Sequence, residues 1–134
     1  MKSRLPLVFF TVLLFQCGPD KKTAILGSWK VDSIYTYYNG FHFTRKDISD
    51  EPALEYLPEG KLKMTRGPEF RMFTFEIDPG DTLHHRTQEQ REKEKFFIQH
   101  LDASTLVLRR DMRPIFKSLN QERYEVRYLS KQTN

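Results

Sequence analysis

Residues 25–38 (ILGSWKVDSIYTYY) constrain the fold of this chain more than any other stretch. From Trp29 onward the residues alternate, and one side of the alternation carries Trp29, Val31, Ser33, Tyr35 and Tyr37. Period-two patterning with β-branched and aromatic residues predicts a strand that turns one face to a core and the other to water. Gly27 stands just before it, where a chain can turn tightly. We therefore expect a long strand around which a sheet is built.

Shorter runs of the same kind follow, separated by turn signals. The turn signals are Asn39-Gly40, Pro58-Glu59-Gly60, Gly67-Pro68, Pro79-Gly80 and Asp102-Ala103-Ser104. Residues 70–77 with 82–87, and 95–101 with 105–110, are predicted to form two hairpins. We expect residues 46–58 and 87–95 to be irregular or solvated, Ile115 and Phe116 to cover an open end of the sheet, and residues 122–129 to form the last strand. Roughly eight short strands predict an all-β antiparallel meander that closes into a barrel or a sandwich.

Residues 1–16 are predicted to be a signal peptide outside the fold. Lys2 and Arg4 make a basic start, and residues 5–15 form a mostly apolar run. A bilayer span needs about 20 residues, whereas the apolar region of a secretory signal has about 7–15. The run therefore fits a secretory signal better than a membrane span.

Cys17 follows this leader and is the single cysteine of the chain, so no internal disulfide can form. Its position resembles the lipobox of bacterial lipoproteins. Leu14 stands at the usual position, and Gln16 replaces the small residue usual before the cysteine. The resemblance implies that Cys17 carries acyl chains such as palmitate and anchors the chain in the cell envelope, at the outer membrane. An ordinary signal peptide or short anchor with an incidental cysteine is the alternative.

The resulting organisation is a leader (1–16), a lipidated cysteine with a polar tether (17–24) and one domain (25–134). The whole chain has a formal net charge of +4. Removing the leader takes away Lys2 and Arg4, which leaves 20 basic against 18 acidic residues. No dense Lys/Arg block remains to follow a phosphate backbone, so we expect no nucleic-acid partner.

Four segments together resemble the small lipocalin-like domains of Gram-negative bacterial lipoproteins. They are residues 26–31 (LGSWKV), 57–62 (LPEGKL), 80–83 (GDTL) and 101–108 (LDASTLVL). The resemblance spans most of residues 25–129 and implies a lipocalin-like β-barrel of about eight strands. It also implies that Gly27 and Trp29 plug one barrel end, with Arg127 or Arg123 placing a cation over the Trp29 ring.

A barrel of this size has room for side chains or for one small ligand. The inward candidates are bulky and favour a filled interior or a shallow mouth: Trp29, Tyr35, Tyr37, Phe73, Phe75, Tyr124 and Tyr128. We predict a small hydrophobic or amphipathic ligand at one barrel end, contacted by Tyr35, Tyr37, Phe73 and Phe75. The alternative is a protein-interaction module of a cell-envelope complex with a filled barrel.

Catalytic and metal-binding patterns are weak in this sequence. His84 and His85 are adjacent, so on a strand they point to opposite faces and do not chelate one ion together. Carboxylates such as Glu76 and Asp78 are plentiful, but nothing in the sequence fixes two of them at a working distance. No nucleophile elbow or Gly-rich phosphate loop is present. We therefore predict a non-enzymatic protein without a metal or cofactor.

Overall fold

The computed structural model describes residues 20–116 and 120–133, so the predictions for residues 1–16 and Cys17 lie outside the described residues. Within these ranges a four-residue helix is followed by nine strands, with one 3-10 turn (Pro58–Gly60) between the third and fourth: α1 (Lys21–Ala24), β1 (Gly27–Tyr38), β2 (Phe41–Arg45), β3 (Ala53–Leu57), β4 (Lys61–Arg66), β5 (Glu69–Ile77), β6 (Thr82–Arg86), β7 (Glu92–Leu101), β8 (Thr105–Asp111) and β9 (Arg123–Lys131). All strand pairs are antiparallel. The predicted all-β antiparallel class is confirmed.

Eight of the strands form a closed barrel. Strands β3 to β9 pair in chain order, and β1 closes the ring by pairing with β3 on one edge and β9 on the other. The ninth strand, β2, folds back onto Ile34–Tyr38 of β1 through the Asn39-Gly40 turn. Both turn residues have positive φ, 45° and 94°, as a tight two-residue hairpin requires. The predicted barrel is therefore present, with one strand appended to it.

The two ends of the barrel differ in what covers them. We call the closed end the one that carries α1 and the β3–β4, β5–β6 and β7–β8 turns. Lys21 Nζ of α1 lies 2.5 Å from Asp81 Oδ1 in the β5–β6 turn, which fixes the helix against this end. The open end carries the β1–β2 hairpin, the β4–β5 and β6–β7 turns and the β8–β9 connection. Residues predicted as the last part of a polar tether thus form a helical turn on the closed end.

The apolar core fills the barrel interior. Its most buried members come from six of the eight barrel strands and from the residue after α1: Ile25, Trp29, Tyr56, Leu62, Leu83, Leu106, Leu108 and Leu129. Phe75 and Ile77 of β5 also face inward, as the alternation of residues 70–77 predicts. Full burial of one such side chain contributes about 1.5–3 kcal/mol. These contacts account for a barrel without a disulfide.

A β-bulge at Asp32 reverses the facing of the second half of β1. Val31 pairs with Leu129 and Ser33 with Tyr128, so Asp32 has no partner on β9. An unpaired extra residue shifts the following side chains to the opposite face. Ile34 is therefore buried at 3% exposure. The prediction that Tyr35 and Tyr37 face inward is wrong for this reason.

Strand β9 also faces the opposite way from the prediction. Glu125 and Leu129 are buried, and the Arg127 side chain is only 13% exposed, whereas Tyr128 is 42% exposed. Tyr124 lies on the outer face with Tyr128. Simple alternation assigns the aromatic residues to the core, but here the charged residues are inside because they pair with one another. The predicted filling of the barrel by Tyr124 and Tyr128 is wrong.

Three further expectations need correction. Residues 46–58 are not wholly irregular, because β3 forms at Ala53–Leu57 and supplies buried Leu54 and Tyr56. Residues 92–95 belong to β7 and not to a loop. Ile115 and Phe116 are 57% and 58% exposed, so they do not cover the sheet. Over the described ranges, no helix has the length and hydrophobicity to cross a bilayer.

Candidate binding site at the open end of the barrel

A chain of ion pairs lies inside the barrel toward the open end. Arg127 is its centre: Nη1 donates to Glu51 Oε2 at 3.0 Å and Nε to Glu125 Oε1 at 2.8 Å. Each carboxylate has a second cation, since Arg45 lies 3.0 Å from Glu51 and Arg110 lies 2.7 Å from Glu125. Burial alone would lower the pKa of Arg127, but the charges of Glu125 and Glu51 outweigh it and raise the pKa. The guanidinium therefore stays charged inside the barrel.

A second polar group continues this chain deeper into the barrel. Glu94 accepts from Arg110 Nη1 at 3.3 Å and lies 3.3 Å from His85 Nδ1, while His85 Nε2 lies 2.9 Å from the Tyr56 hydroxyl. Burial lowers the pKa of His85, so its ring is neutral at pH 7. The tautomer with a proton on Nδ1 satisfies both bonds, donating to Glu94 and accepting from Tyr56. Burial opposes ionisation of Glu94, but the His85 bond and nearby cations lower its pKa to about 2.

In the Tyr56–His85–Glu94 group, Tyr56 and His85 are tightly packed, whereas His85 and Glu94 also border a cavity of about 100 Å³. Tyr56 and His85 are each 1% exposed. The rings of Phe75 and Phe96 pack edge-on against them, with centroids 4.9 Å and 5.4 Å away. Within the group the buried polar atoms satisfy one another, because His85 bonds both the Tyr56 hydroxyl and the Glu94 carboxylate.

Two cavities lie next to this network. The larger, which we call the mouth pocket, has a volume of about 310 Å³ and is lined by Pro52, Met64, Arg66, Glu69, Phe70, Arg71, Phe73 and Lys93. A second cavity of about 100 Å³ lies deeper and shares Pro52, Met64, Arg66 and Lys93 with the first. Glu51, Glu94 and Arg127 line this inner cavity. Apolar side chains such as Val31, Leu108 and Leu129 complete its lining, so the barrel has an amphipathic entrance above a small chamber of mixed polarity.

A second β-bulge aims a cation at the mouth pocket. His85 pairs with Glu94 and Arg86 pairs with Glu92, so Lys93 is the unpaired residue. Bulges commonly redirect a side chain in this way. Lys93 Nζ lies 5.3 Å from the Phe73 ring centroid and 3.9 Å from Glu94 Oε2. Without the bulge, alternation would place Lys93 on the outer face.

The structure separates the four residues predicted to contact a ligand. Phe73 lines the mouth pocket, as an inward residue of β5 should. Phe75 is 9% exposed and lies in the core below the pocket. Tyr35 and Tyr37 lie outside, and Tyr37 stacks on Tyr124 with centroids 5.0 Å apart. Only Phe73 of this set is placed where it can touch a molecule in the pocket.

Trp29 lies in the buried core near the closed end and is fully buried. Its indole Nε1 donates to the Ile25 carbonyl at 2.7 Å, which ties the residue after α1 to the barrel. The cation over its ring is Lys131, with Nζ 5.3 Å from the centroid. Arg127 instead lies 5.6 Å from the Phe96 ring centroid, because the inward face of β9 places it higher in the barrel. The cation expected from Arg127 or Arg123 thus comes from another residue of the same strand.

Gly27 has a backbone conformation that explains its residue type. Its φ is +120°, a region that residues with a Cβ rarely adopt. A Cβ there would also lie 2.7 Å from Lys131 Cε, the same side chain that covers Trp29. Glycine at this position therefore lets Lys131 approach the first strand.

The adjacent histidines point to opposite faces, as predicted. His84 lies outside, with Nδ1 2.5 Å from Glu92 and Nε2 3.2 Å from Asp78, whereas His85 is in the core. The bond to Glu92 raises the pKa of His84. In the part of the chain that the structure describes, no group of three or more His, Cys, Asp or Glu residues is arranged to hold a metal ion.

Sequence reasoning missed the cations of the mouth pocket. Arg66 could have been found, because Leu62 and Met64 predict that the next even-numbered residue of β4 also faces inward. Arg71 follows from the inward parity of Phe73 on β5. Lys93 could not have been found in this way, because its position depends on a β-bulge that the alternation of polar and apolar residues does not reveal.

Comparison with known proteins finds no matching protein family, no similar curated protein and no matching solved structure. The class of this protein is therefore defined by its own geometry. It is a closed eight-stranded antiparallel β-barrel with one appended strand. Its distinguishing site is a cationic and apolar pocket above a buried ionic network.

Proposed function

We propose that this chain is a lipid-anchored, non-enzymatic lipoprotein of the bacterial cell envelope, with a lipocalin-like barrel that binds a small amphipathic ligand at its open end. The mouth pocket is the observation that carries this proposal. Its volume of about 310 Å³ is at the lower end of the range of about 300–1,000 Å³ typical of small-molecule sites. Phe70, Phe73 and Met64 supply apolar surface, and charged side chains surround it.

The ionic network limits how deep a ligand can enter. An apolar group placed in the inner cavity would lie against the charged groups of Glu51, Glu94 and Arg127 and could form no hydrogen bond with them. The cavity itself holds only about 100 Å³. The ligand is therefore held at the mouth, and it is smaller than the ligand of a deep apolar barrel.

The position of α1 supports an anchor on the opposite side of the domain. Asp20 precedes α1 at the closed end and is three residues from Cys17. Three extended residues span at most about 11 Å. Acyl chains on Cys17 would therefore hold the closed end near the membrane and turn the mouth toward the aqueous compartment.

Two measurements test the two halves of this proposal. Cys17→Ser followed by cell fractionation tests the anchor, and we expect the variant to leave the membrane fraction. Binding is tested by amide NMR of the full chain in lipid nanodiscs, titrated with eight-carbon amphiphiles. We expect shifts at Met64, Arg66 and Phe73 and none at Ile25. Unchanged membrane retention contradicts the anchor, and an unshifted mouth contradicts ligand binding.

A second function, docking of a cell-envelope protein, is favoured by apolar side chains around the open end. Five large ones are 57–76% exposed and come from the β1–β2 hairpin, the start of β5 and the β8–β9 connection: Phe41, Phe43, Phe70, Ile115 and Phe116. The double variant Phe41→Ser/Phe43→Ser should abolish capture of a partner by the full chain. Phe97→Ser is the matched control, because Phe97 is 49% exposed on another strand, away from this hairpin. Equal loss in both variants would contradict docking at the open end.

A further inference from the structure

We propose that the mouth pocket selects a ligand with a single anionic head group, such as a carboxylate, on a short apolar body. This inference rests on the proposed ligand-binding function and specifies the chemical class of the ligand. Three cations line the pocket, Arg66, Arg71 and Lys93, against one carboxylate, Glu69. An anion entering this pocket is thus attracted by the surrounding charge.

Two of these cations are available to a ligand. Within the described ranges, neither Arg66 nor Arg71 has a carboxylate within 4.0 Å, whereas the arginines of the interior all do. Arg66 pairs in register with Glu69 across β4 and β5, but the two side chains form no ion pair. An arginine presents up to five N–H donors in a fixed fork that matches a carboxylate. The two guanidinium groups therefore have unused donors at the pocket.

The rest of the pocket sets the size and polarity of the ligand body. Met64 and Phe73 project from β4 and β5 into the barrel, and Phe70 lies at the outer edge of the pocket. Lys93 sits over the Phe73 ring and so links the apolar wall to the charged one. Below these residues the inner cavity holds only about 100 Å³, and Arg127, which lines it, is already paired with Glu51 and Glu125. The head group is therefore held at the arginines, and the short apolar body lies against the rings.

The test compares three ligands with the same chain and different heads: octanoate, 1-octanol and octylammonium. Each is titrated into the full chain in phosphatidylcholine nanodiscs, with amide shifts of mouth residues as the readout. Partition into the bilayer is the same for every protein variant, so ratios of apparent Kd between variants are free of it. The three ligands partition differently into the bilayer, so they are compared at their measured free concentrations. There we expect octanoate to bind more tightly than 1-octanol, and octylammonium to bind most weakly.

The variants separate the head group from the body. Arg66→Gln and Arg71→Gln should each weaken octanoate binding by about tenfold or more, because each removes a charge-assisted hydrogen bond. Both variants should leave the apparent Kd of 1-octanol within about twofold of the original value. Lys30→Gln is the matched control, because Lys30 is exposed on the outer face of β1. Added salt should weaken octanoate binding and leave 1-octanol binding unchanged, because salt screens ionic attraction at an open site. The unperturbed spectra of the variants establish that they fold.

The outcomes separate this inference from the function on which it rests. If 1-octanol and octanoate bind the mouth equally and Arg66→Gln changes neither, the pocket binds ligands and the anionic class is wrong. If octylammonium binds best, the class is also wrong. If none of the three shifts the mouth residues, both the class and the proposed ligand binding are overturned.

Discussion

Arg127→Met tests whether the ionic network is as buried as the structure indicates. The substitution keeps the length of the side chain and removes the cation between Glu51 and Glu125. Breaking a buried ion pair by removing one partner generally costs about 3–5 kcal/mol, because a charge is left uncompensated. Here each carboxylate keeps another cation, Arg45 at 3.0 Å and Arg110 at 2.7 Å. We therefore expect a loss near the lower limit, about 3 kcal/mol.

Urea unfolding at pH 7 measures this loss, with Lys30→Met as the control that should change stability by no more than about 0.5 kcal/mol. Adding Glu125→Gln to Arg127→Met removes one of the two carboxylates that Arg127 paired with and should recover part of the loss. An exposed ion pair contributes about 1 kcal/mol or less to stability. A loss below about 1 kcal/mol for Arg127→Met would therefore refute the reasoning. It would mean that water enters the barrel and solvates the network.

Further predictions concern the core and the pH dependence of stability. Trp29→Ala should lower the free energy of unfolding by about 3–5 kcal/mol, and an unchanged melting temperature would show that Trp29 does not support the closed end. Because burial lowers the pKa of His85, the unfolded chain binds a proton below about pH 6.5 that the folded chain does not. Stability should fall there as the pH drops, by at most about 1.4 kcal/mol per pH unit, and His85→Gln should remove that fall. The bond to Glu92 raises the pKa of His84 in the folded chain. Protonated His84 therefore stabilises the fold below about pH 6.5, and this stabilisation is lost as the pH rises through the pKa of the folded chain. His84→Gln should therefore flatten the curve above pH 6.5, and equal effects of the two variants would contradict this assignment.

Local pattern was sufficient for most of the strands and turns. The Asn39-Gly40 hairpin and the inward parity of Phe73 and Phe75 follow directly from turn chemistry and alternation. The interior was predicted less well, because alternation holds only while every residue has a partner. The unpaired Asp32 reversed Tyr35 and Tyr37. A register shift depends on which strand lies alongside, and a single sequence does not carry that information.

The polar face of β9 was missed for a different physical reason. Burial of Glu125 or Arg127 is costly for either residue alone. It becomes acceptable when Arg127 pairs with both Glu125 and Glu51, and Glu51 is 76 positions away from Arg127 in the sequence. Hydrophobicity is a property of single residues, whereas this compensation is a property of the assembled set. The same limit applies to the pocket, where Arg66 and Arg71 belong to two strands and Lys93 reaches the mouth through a bulge.

The division of the barrel into two ends explains why its interior is not uniformly apolar. Trp29, Leu62 and Leu83 fill the part near the closed end, and that packing can stabilise the fold without help from charges. Replacing a buried ionic network by apolar residues is often neutral or stabilising, so Arg127 and its partners are not what the fold requires. What the network does is keep the upper interior polar and narrow, with a 100 Å³ chamber below a 310 Å³ mouth. A barrel built in this way has no room for a long apolar chain at its centre, and it carries Arg66 and Arg71 at its rim.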